Sequence, residues 1–82
     1  MTPTNPQFRI LVAVDAASQL SNPWPPTLEM VATLARLKSR SAVTYHLPAL
    51  KVGGWVESGP HNRGLRLTAS GKRALKSGKV KP

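Results

Sequence analysis

Residues 25–50 read PPTLEMVATLARLKSRSAVTYHLPAL, and the order of signals within them decides the fold. Thr27 is a good helix N-cap, with Glu29 in the first turn, where the helix dipole favours an anion. Leu28 to Leu37 then reads as a short helix with Leu28, Val31, Ala32 and Ala35 inward. Lys38-Ser39 makes a turn, and Ser39 is the expected cap of the next helix, Arg40 to about Lys51. In that helix Val43, Leu47 and Leu50 recur at i, i+4 and i+7 and form an apolar stripe. Ser41 and Tyr45 fall nearly opposite the stripe, flanked by Arg40 and Thr44. Pro48 is the anomaly, because proline inside a helix removes one hydrogen bond and costs about 3 kcal/mol. Either the helix kinks there and leaves Arg40 to Tyr45 straight, or it is shorter than drawn, or it bulges locally.

Working outward, Gly53-Gly54 stops this helix. Trp55 to Ser58 is a short strand, GPHNRG (59–64) a turn-rich tip, and Leu65 to Thr68 a returning strand. The return strand alternates, with Leu65 and Leu67 on one face and Arg66 on the other. Ala69 to about Ser77 is a basic helix or a frayed segment, anchored only by Ala74 and Leu75. Upstream, FRILVAVDAASQL (8–20) is ambiguous. Phe8, Leu11, Val12 and Ala16 fit a helical stripe, Ile10 and Val14 fall outside it, and the β-branched residues favour a strand. The helices that follow favour helix here too. Two helices, a tight turn and a basic-tipped hairpin make the expected fold mainly α with a small β-hairpin, a winged helix-turn-helix. Residues 1–6 are expected to be a flexible N-terminal segment, 7–77 the domain and 78–82 a basic tail.

Length and composition narrow the function. The chain has 82 residues, enough for one small domain. It has no cysteine, which removes disulfides, thiolate metal sites and cysteine nucleophiles. No apolar run is long enough to span a bilayer and no leader pattern opens the chain, so a soluble, cytoplasmic protein is expected, without a membrane partner. Net charge is +9. Up to Ala35 the charged residues are Arg9, Asp15 and Glu29; from Arg36 onward eleven basic residues stand against Glu57 alone. Such asymmetry is the footprint of a polyanion-binding protein, or of a merely solubilising basic tail.

PPTLEMVATLARLKSRSAVTYHLPAL followed by GGWVESGPHNRGLRLT resembles the DNA-binding domain of LexA-type repressors. The resemblance rests on Pro25-Pro26-Thr27, Ser39, His46-Leu47, Leu50, Gly54, Glu57 and Arg63 to Leu67, and covers roughly Phe8 to Thr68. It implies a winged helix with a recognition helix that enters DNA, and it supports a helix for residues 8–20. Three departures bear on it. The chain ends where such a repressor's self-cleaving protease domain would begin, so no Ser-Lys chemistry is implied. The glycine usual in the turn between the second and third helices falls at Arg36. The base-facing residue types differ, so no operator sequence carries over. The ending LTASGKRAL is instead similar to the last strand and helix of MarR-like winged-helix proteins.

The expected site is the outer face of the third helix. A recognition helix presents its N-terminal residues to base edges in the major groove. Arg40, Ser41, Thr44 and Tyr45 are the base-facing candidates. Arg40 suits guanine O6 and N7 or a phosphate, Ser41 and Thr44 donate or accept, and Tyr45 suits a thymine methyl or a phosphate. Backbone and wing contacts are expected from Lys38, Ser39, Lys51, His61, Asn62, Arg63 and Arg66. The bland alternatives are a solvated helix face and an ordinary hairpin with incidental arginines. Lys72, Arg73, Lys76, Lys79 and Lys81 form a basic segment that either neutralises phosphates or solubilises the chain.

Other chemistries fit poorly. His46 and His61 without cysteine make a poor zinc site, and the three carboxylates are scattered, so no metal, cofactor or catalytic activity is expected. No small-molecule ligand is evident. Trp55 is expected in the core, and Trp24 over the lead-in to the second helix. The sequence therefore reads as a sequence-specific double-stranded DNA-binding regulator, repressing by occupancy. A homodimer is possible through Met30, Leu34, Ile10 or Val14. A protein-interaction module with only non-specific DNA affinity is the alternative, and a DNA-shaping factor a third.

Overall fold

Thr4 and Gln7 set the start of the first helix. The Gln7 amide donates to Thr4 Oγ1 at 3.4 Å, and the Thr4 amide donates to Gln7 Oε1 at 2.8 Å, a reciprocal capping box. Helix α1 therefore runs Asn5–Ser21, beginning inside the stretch set aside above as flexible. The computed structural model describes residues 2–59 and 64–80. Its elements follow in the order α1, α2 (Leu28–Leu34), α3 (Arg40–Val52), β1 (Val56–Glu57), β2 (Arg66–Leu67) and α4 (Ala69–Ser77). This is a winged helix-turn-helix, mainly α with one antiparallel hairpin that pairs Val56 with Leu67 and Glu57 with Arg66.

The face that α1 buries differs from the one its spacing suggested. Ile10, Leu11, Val14 and Ala17 are buried, with Ala13 between them, while Val12 is exposed. Four successive aliphatics, Ile10 to Val14 less one alanine, allow two helical phases, and packing selects the one that puts both β-branched ends inward. Ile10 and Val14 are consequently closed to a dimer partner. Arg9 reaches across to donate from Nη2 to the Ala35 carbonyl at 2.6 Å, which ties α1 to the C-terminal end of α2.

Thr27 caps α2 as its position implies, accepting from the Met30 amide at 3.1 Å. The helix ends at Leu34, three residues short of the expected Leu37, because the chain turns left-handed at Arg36, φ 60°. There the Leu37 amide donates to the Ala32 carbonyl and the Arg36 amide to that of Thr33, the two bonds of a Schellman motif. A glycine is the usual residue at that position, and an arginine stands in it here. The helix-turn-helix thus keeps its tight turn without its glycine.

Val43, Leu47 and Leu50 are all buried against Val31, Ala32 and the α1 face. Pro48 lies within α3 and does not end it. Its ring is on the exposed side, as is Thr44, whose carbonyl loses the amide that Pro48 lacks, so the missing bond falls where water can replace it.

The strands are shorter than the sequence suggested, but the alternation holds: Leu65 and Leu67 are buried and Arg66 is exposed. Helix α4 is formed, with Thr68 as its cap. The Thr68 side chain accepts from the Gly71 amide at 3.1 Å and donates to the Gly54 carbonyl. Ala74 and Leu75 pack on the core as expected, and Gly71 adds a third anchor, since a Cβ there would overlap the Trp55 carbonyl oxygen. Trp55 is buried. Trp24, expected to cover the lead-in to α2, is instead 75% exposed, and Pro26 is the buried residue of that loop.

Candidate nucleic-acid interface

The inner stripe of α3 fixes what its outer face presents. With Val43, Leu47 and Leu50 inward, the 100° step of the helix turns Arg40, Ser41, Thr44 and Tyr45 outward, and all four are exposed, Tyr45 to 81%. They occupy the first two turns, the part of such a helix that can reach base edges. The Tyr45 ring meets the His46 ring edge-on, centroids 5.2 Å apart, so the half-buried His46 backs it on one side.

Arg40 is not a free cation. Its Nη1 donates to Glu29 Oε1 at 3.3 Å, across the gap between the N-terminal ends of α2 and α3. The guanidinium has five N–H groups, so this contact leaves donors for a guanine edge or a phosphate. Thr44 is also engaged. Its hydroxyl donates to the Arg40 carbonyl at 3.1 Å, so its oxygen remains available as an acceptor on an exposed side chain that also carries a methyl group. That suits an incoming donor or a thymine methyl better than an incoming acceptor.

Ser39 holds the N-cap position in an extended conformation, but its side chain makes no capping bond. The Ser39 carbonyl accepts from the Ala42 amide at 3.1 Å. Unclosed first-turn amides at this end favour a phosphate oxygen. Arg36 and Lys38 lie exposed in the preceding turn, and Lys51 lies exposed in the last turn of α3. The turn cations and the helix start therefore share one end, whereas Lys51 stands at the other.

On the hairpin, Arg66 Nε donates to Glu57 Oε1 at 2.5 Å, its directly opposed partner in register. The outward arginine of the return strand is thus half-neutralised, and both partners are largely exposed. His61, Asn62 and Arg63, the expected wing-tip contacts, lie outside the described residues. A groove of about 700 Å³ separates the Trp24 loop from the hairpin and is lined in part by Trp24, Pro26, Ser58 and Arg66. Among the described residues no three His, Cys, Asp or Glu side chains gather as metal ligands would. No described helix is long and apolar enough to cross a membrane.

Both ion pairs escape a reading of the sequence in different degrees. Glu57 and Arg66 stand opposite each other in a hairpin whose alternation is legible, so their pairing was available from register. Glu29 and Arg40 are eleven residues apart on separate helices, and only the angle of the turn brings them together.

No protein-family model matches the sequence, and no curated protein matches it. Among solved structures, the fold is similar to that of the M. tuberculosis transcriptional regulator MosR, with a TM-score of 0.65 and 28% sequence identity. The likeness covers 90% of this chain and 51% of that one, so the chain spans about half the length of the regulator it resembles. It extends to the fold of a transcriptional regulator and does not reach the narrower LexA-type family.

Proposed function

We propose that this domain binds double-stranded DNA sequence-specifically and regulates transcription by occupying its site. The observation that carries the reading is the outer face of α3. Arg40, Ser41, Thr44 and Tyr45 stand exposed on a helix whose opposite face is locked into the core. In this reading α3 enters the major groove and the hairpin lies along the adjacent backbone or minor groove. Lys38 and the Ser39 end of α3 hold phosphate on one flank, with Lys51 at the far end of the helix. Arg66, with His61, Asn62 and Arg63 of the tip, serves the wing. The likeness to a transcriptional regulator supports the same reading.

One such domain contacts few base pairs, and a symmetric dimer is the usual way to lengthen the site. With Ile10 and Val14 buried, the surface for a second copy contracts to Leu34 and Met30. Leu34 is exposed beside Phe8 and Val12 in a shallow groove between α1 and α2.

The test is selection of bound duplexes from a random pool at about 150 mM salt with excess competitor, where non-specific affinity is suppressed. A recovered motif, altered by exchange of Arg40 or Tyr45, supports the proposal, and inverted half-sites support the dimer. No motif, with binding lost as salt rises, sinks it and leaves the same helix face to a protein partner.

A further inference from the structure

The three carboxylates of the chain are distributed unevenly among its cations. Glu29 is taken by Arg40 and Glu57 by Arg66, both on the elements expected to meet DNA. Asp15, on α1, accepts from Gln19 at 3.2 Å. None is on α4. That helix turns Gly71, Ala74 and Leu75 toward the core, which leaves Lys72, Arg73 and Lys76 together on the outside at i, i+1 and i+4, all exposed. Lys79 follows just beyond the Gly78 cap, also exposed. No acidic residue occurs between Glu57 and the end of the chain. Among the described residues, these four cations have no carboxylate partner in an ion pair.

This cluster is also built rather than trailing. Thr68 caps α4 and bonds it to Gly54, the Trp55 carbonyl accepts from the Thr68 amide at 3.0 Å, and Gly71 seats the helix against Trp55. Arg73 borders a groove of about 360 Å³ shared with Gly53, at the C-terminal end of α3, and its Nη2 donates to Ser70 Oγ at 3.2 Å. These contacts dock the basic face next to the end of the recognition helix that points away from Arg40.

We propose that the outer face of α4 is a second DNA-contact surface, which binds the sugar–phosphate backbone outside the segment read by α3. The inference rests on the DNA-binding reading above and divides its labour. Arg40 to Tyr45 set which sequence is bound. Lys72, Arg73 and Lys76 supply much of the sequence-independent affinity, because, unlike Arg40 and Arg66, they have no carboxylate partner among the described residues. Each phosphate neutralised releases condensed counterions, so this share of the affinity falls steeply with salt.

The experiment measures the slope of log affinity against log salt on the selected duplex. Three proteins are compared: wild type, Lys72→Gln/Arg73→Gln/Lys76→Gln, and Lys72→Arg/Lys76→Arg, which keeps the charge. Thermal melting of each protein verifies the fold, which these exposed side chains do not hold. The glutamine variant is expected to lose roughly two to three units of slope, so that wild type loses roughly 40-fold more affinity than the variant between about 50 and about 200 mM salt. The selected motif stays the same, and the arginine variant keeps the wild-type slope. An unchanged slope in a folded glutamine variant overturns the proposal and assigns the α4 face to an acidic protein or to solvent. Failure of wild type to select any duplex overturns the DNA reading itself, and that result comes from the wild-type arm alone.

Discussion

Arg36 closes α2 in the same way that Gly54 closes α3. Each residue is left-handed, φ 60° and 77°, and each donates its amide to the carbonyl three residues back while the next amide reaches the carbonyl five back. The two motifs differ only in that one has a side chain where left-handed backbone disfavours it. An L-residue other than glycine there costs about 1–2 kcal/mol. Glycine's greater freedom in the unfolded chain returns about 0.5–1 kcal/mol of that. Arg36→Gly is therefore expected to stabilise the domain by up to about 1 kcal/mol, read as a rise in Tm of a few degrees. Arg36→Ala keeps the backbone conformation and removes the charge, so it should leave Tm nearly unchanged. A lower Tm for the glycine variant would show that the arginine side chain contributes more through its contacts than its backbone costs.

The Arg40–Glu29 pair makes a prediction about affinity. Both partners are largely exposed, so the pair is worth only about 0.2–1 kcal/mol and contributes little to folding. It must loosen or share its guanidinium when DNA arrives. Glu29→Gln is expected to raise DNA affinity by at most roughly fivefold, the equivalent of that energy. It should also relax the preference at the base Arg40 meets, because Glu29 no longer orients the guanidinium. Binding by fluorescence anisotropy, with selection repeated on the variant, separates the two effects. Lower affinity would mean that Glu29 positions Arg40 productively and that orientation outweighs charge.

Gly71 is where α4 and the α3–β1 connection come closest. A methyl group there meets the backbone of Trp55 rather than a side chain that could swing away. Overpacking against a rigid neighbour costs about 1–3 kcal/mol and sometimes more. Alanine's better helix propensity, about 1 kcal/mol, offsets only part of this. Gly71→Ala is expected to destabilise by up to about 2 kcal/mol, measured by chemical denaturation. The neighbouring Ser70→Ala removes a half-buried hydroxyl bonded to the exposed Arg73 side chain and is expected to cost less than about 0.5 kcal/mol.

How much of this was legible in the sequence depends on whether a signal was local. Val43, Leu47 and Leu50 announce their helix face by spacing alone, and Leu65 and Leu67 announce theirs by alternation; all five are buried. Thr27 caps α2 because an N-cap acts over three residues. The phase of α1 was not legible, since an aliphatic run satisfies more than one helical register and tertiary packing breaks the tie. Ser39 has the right residue type for a cap and makes no capping bond, which no local rule distinguishes. The candidate site divides in the same way. Which residues α3 turns outward follows from its stripe, whereas the fact that Arg40 and Arg66 already hold glutamates depends on how separate elements meet.

The sharpest test of the two faces of α3 uses neighbouring positions. Leu47 is fully buried in the stripe, and Tyr45 is among the most exposed large side chains of the domain. Leu47→Ala removes packed methyl groups and leaves a cavity, at about 2–5 kcal/mol. A domain this small has total stability near the lower end of about 5–15 kcal/mol, so the variant should be partly unfolded at 37 °C. Tyr45→Ala loses little packing and should melt within about 0.5 kcal/mol of wild type. Its effect belongs to binding: loss of a base or backbone contact worth about 1–3 kcal/mol lowers affinity for the selected duplex roughly 5- to 150-fold. Far-UV circular dichroism melts and anisotropy titrations on both variants read the two quantities independently. A Tyr45→Ala protein that melts as wild type and binds the selected duplex as tightly would remove Tyr45 from the interface. It would shift base reading to Arg40, Ser41 and Thr44.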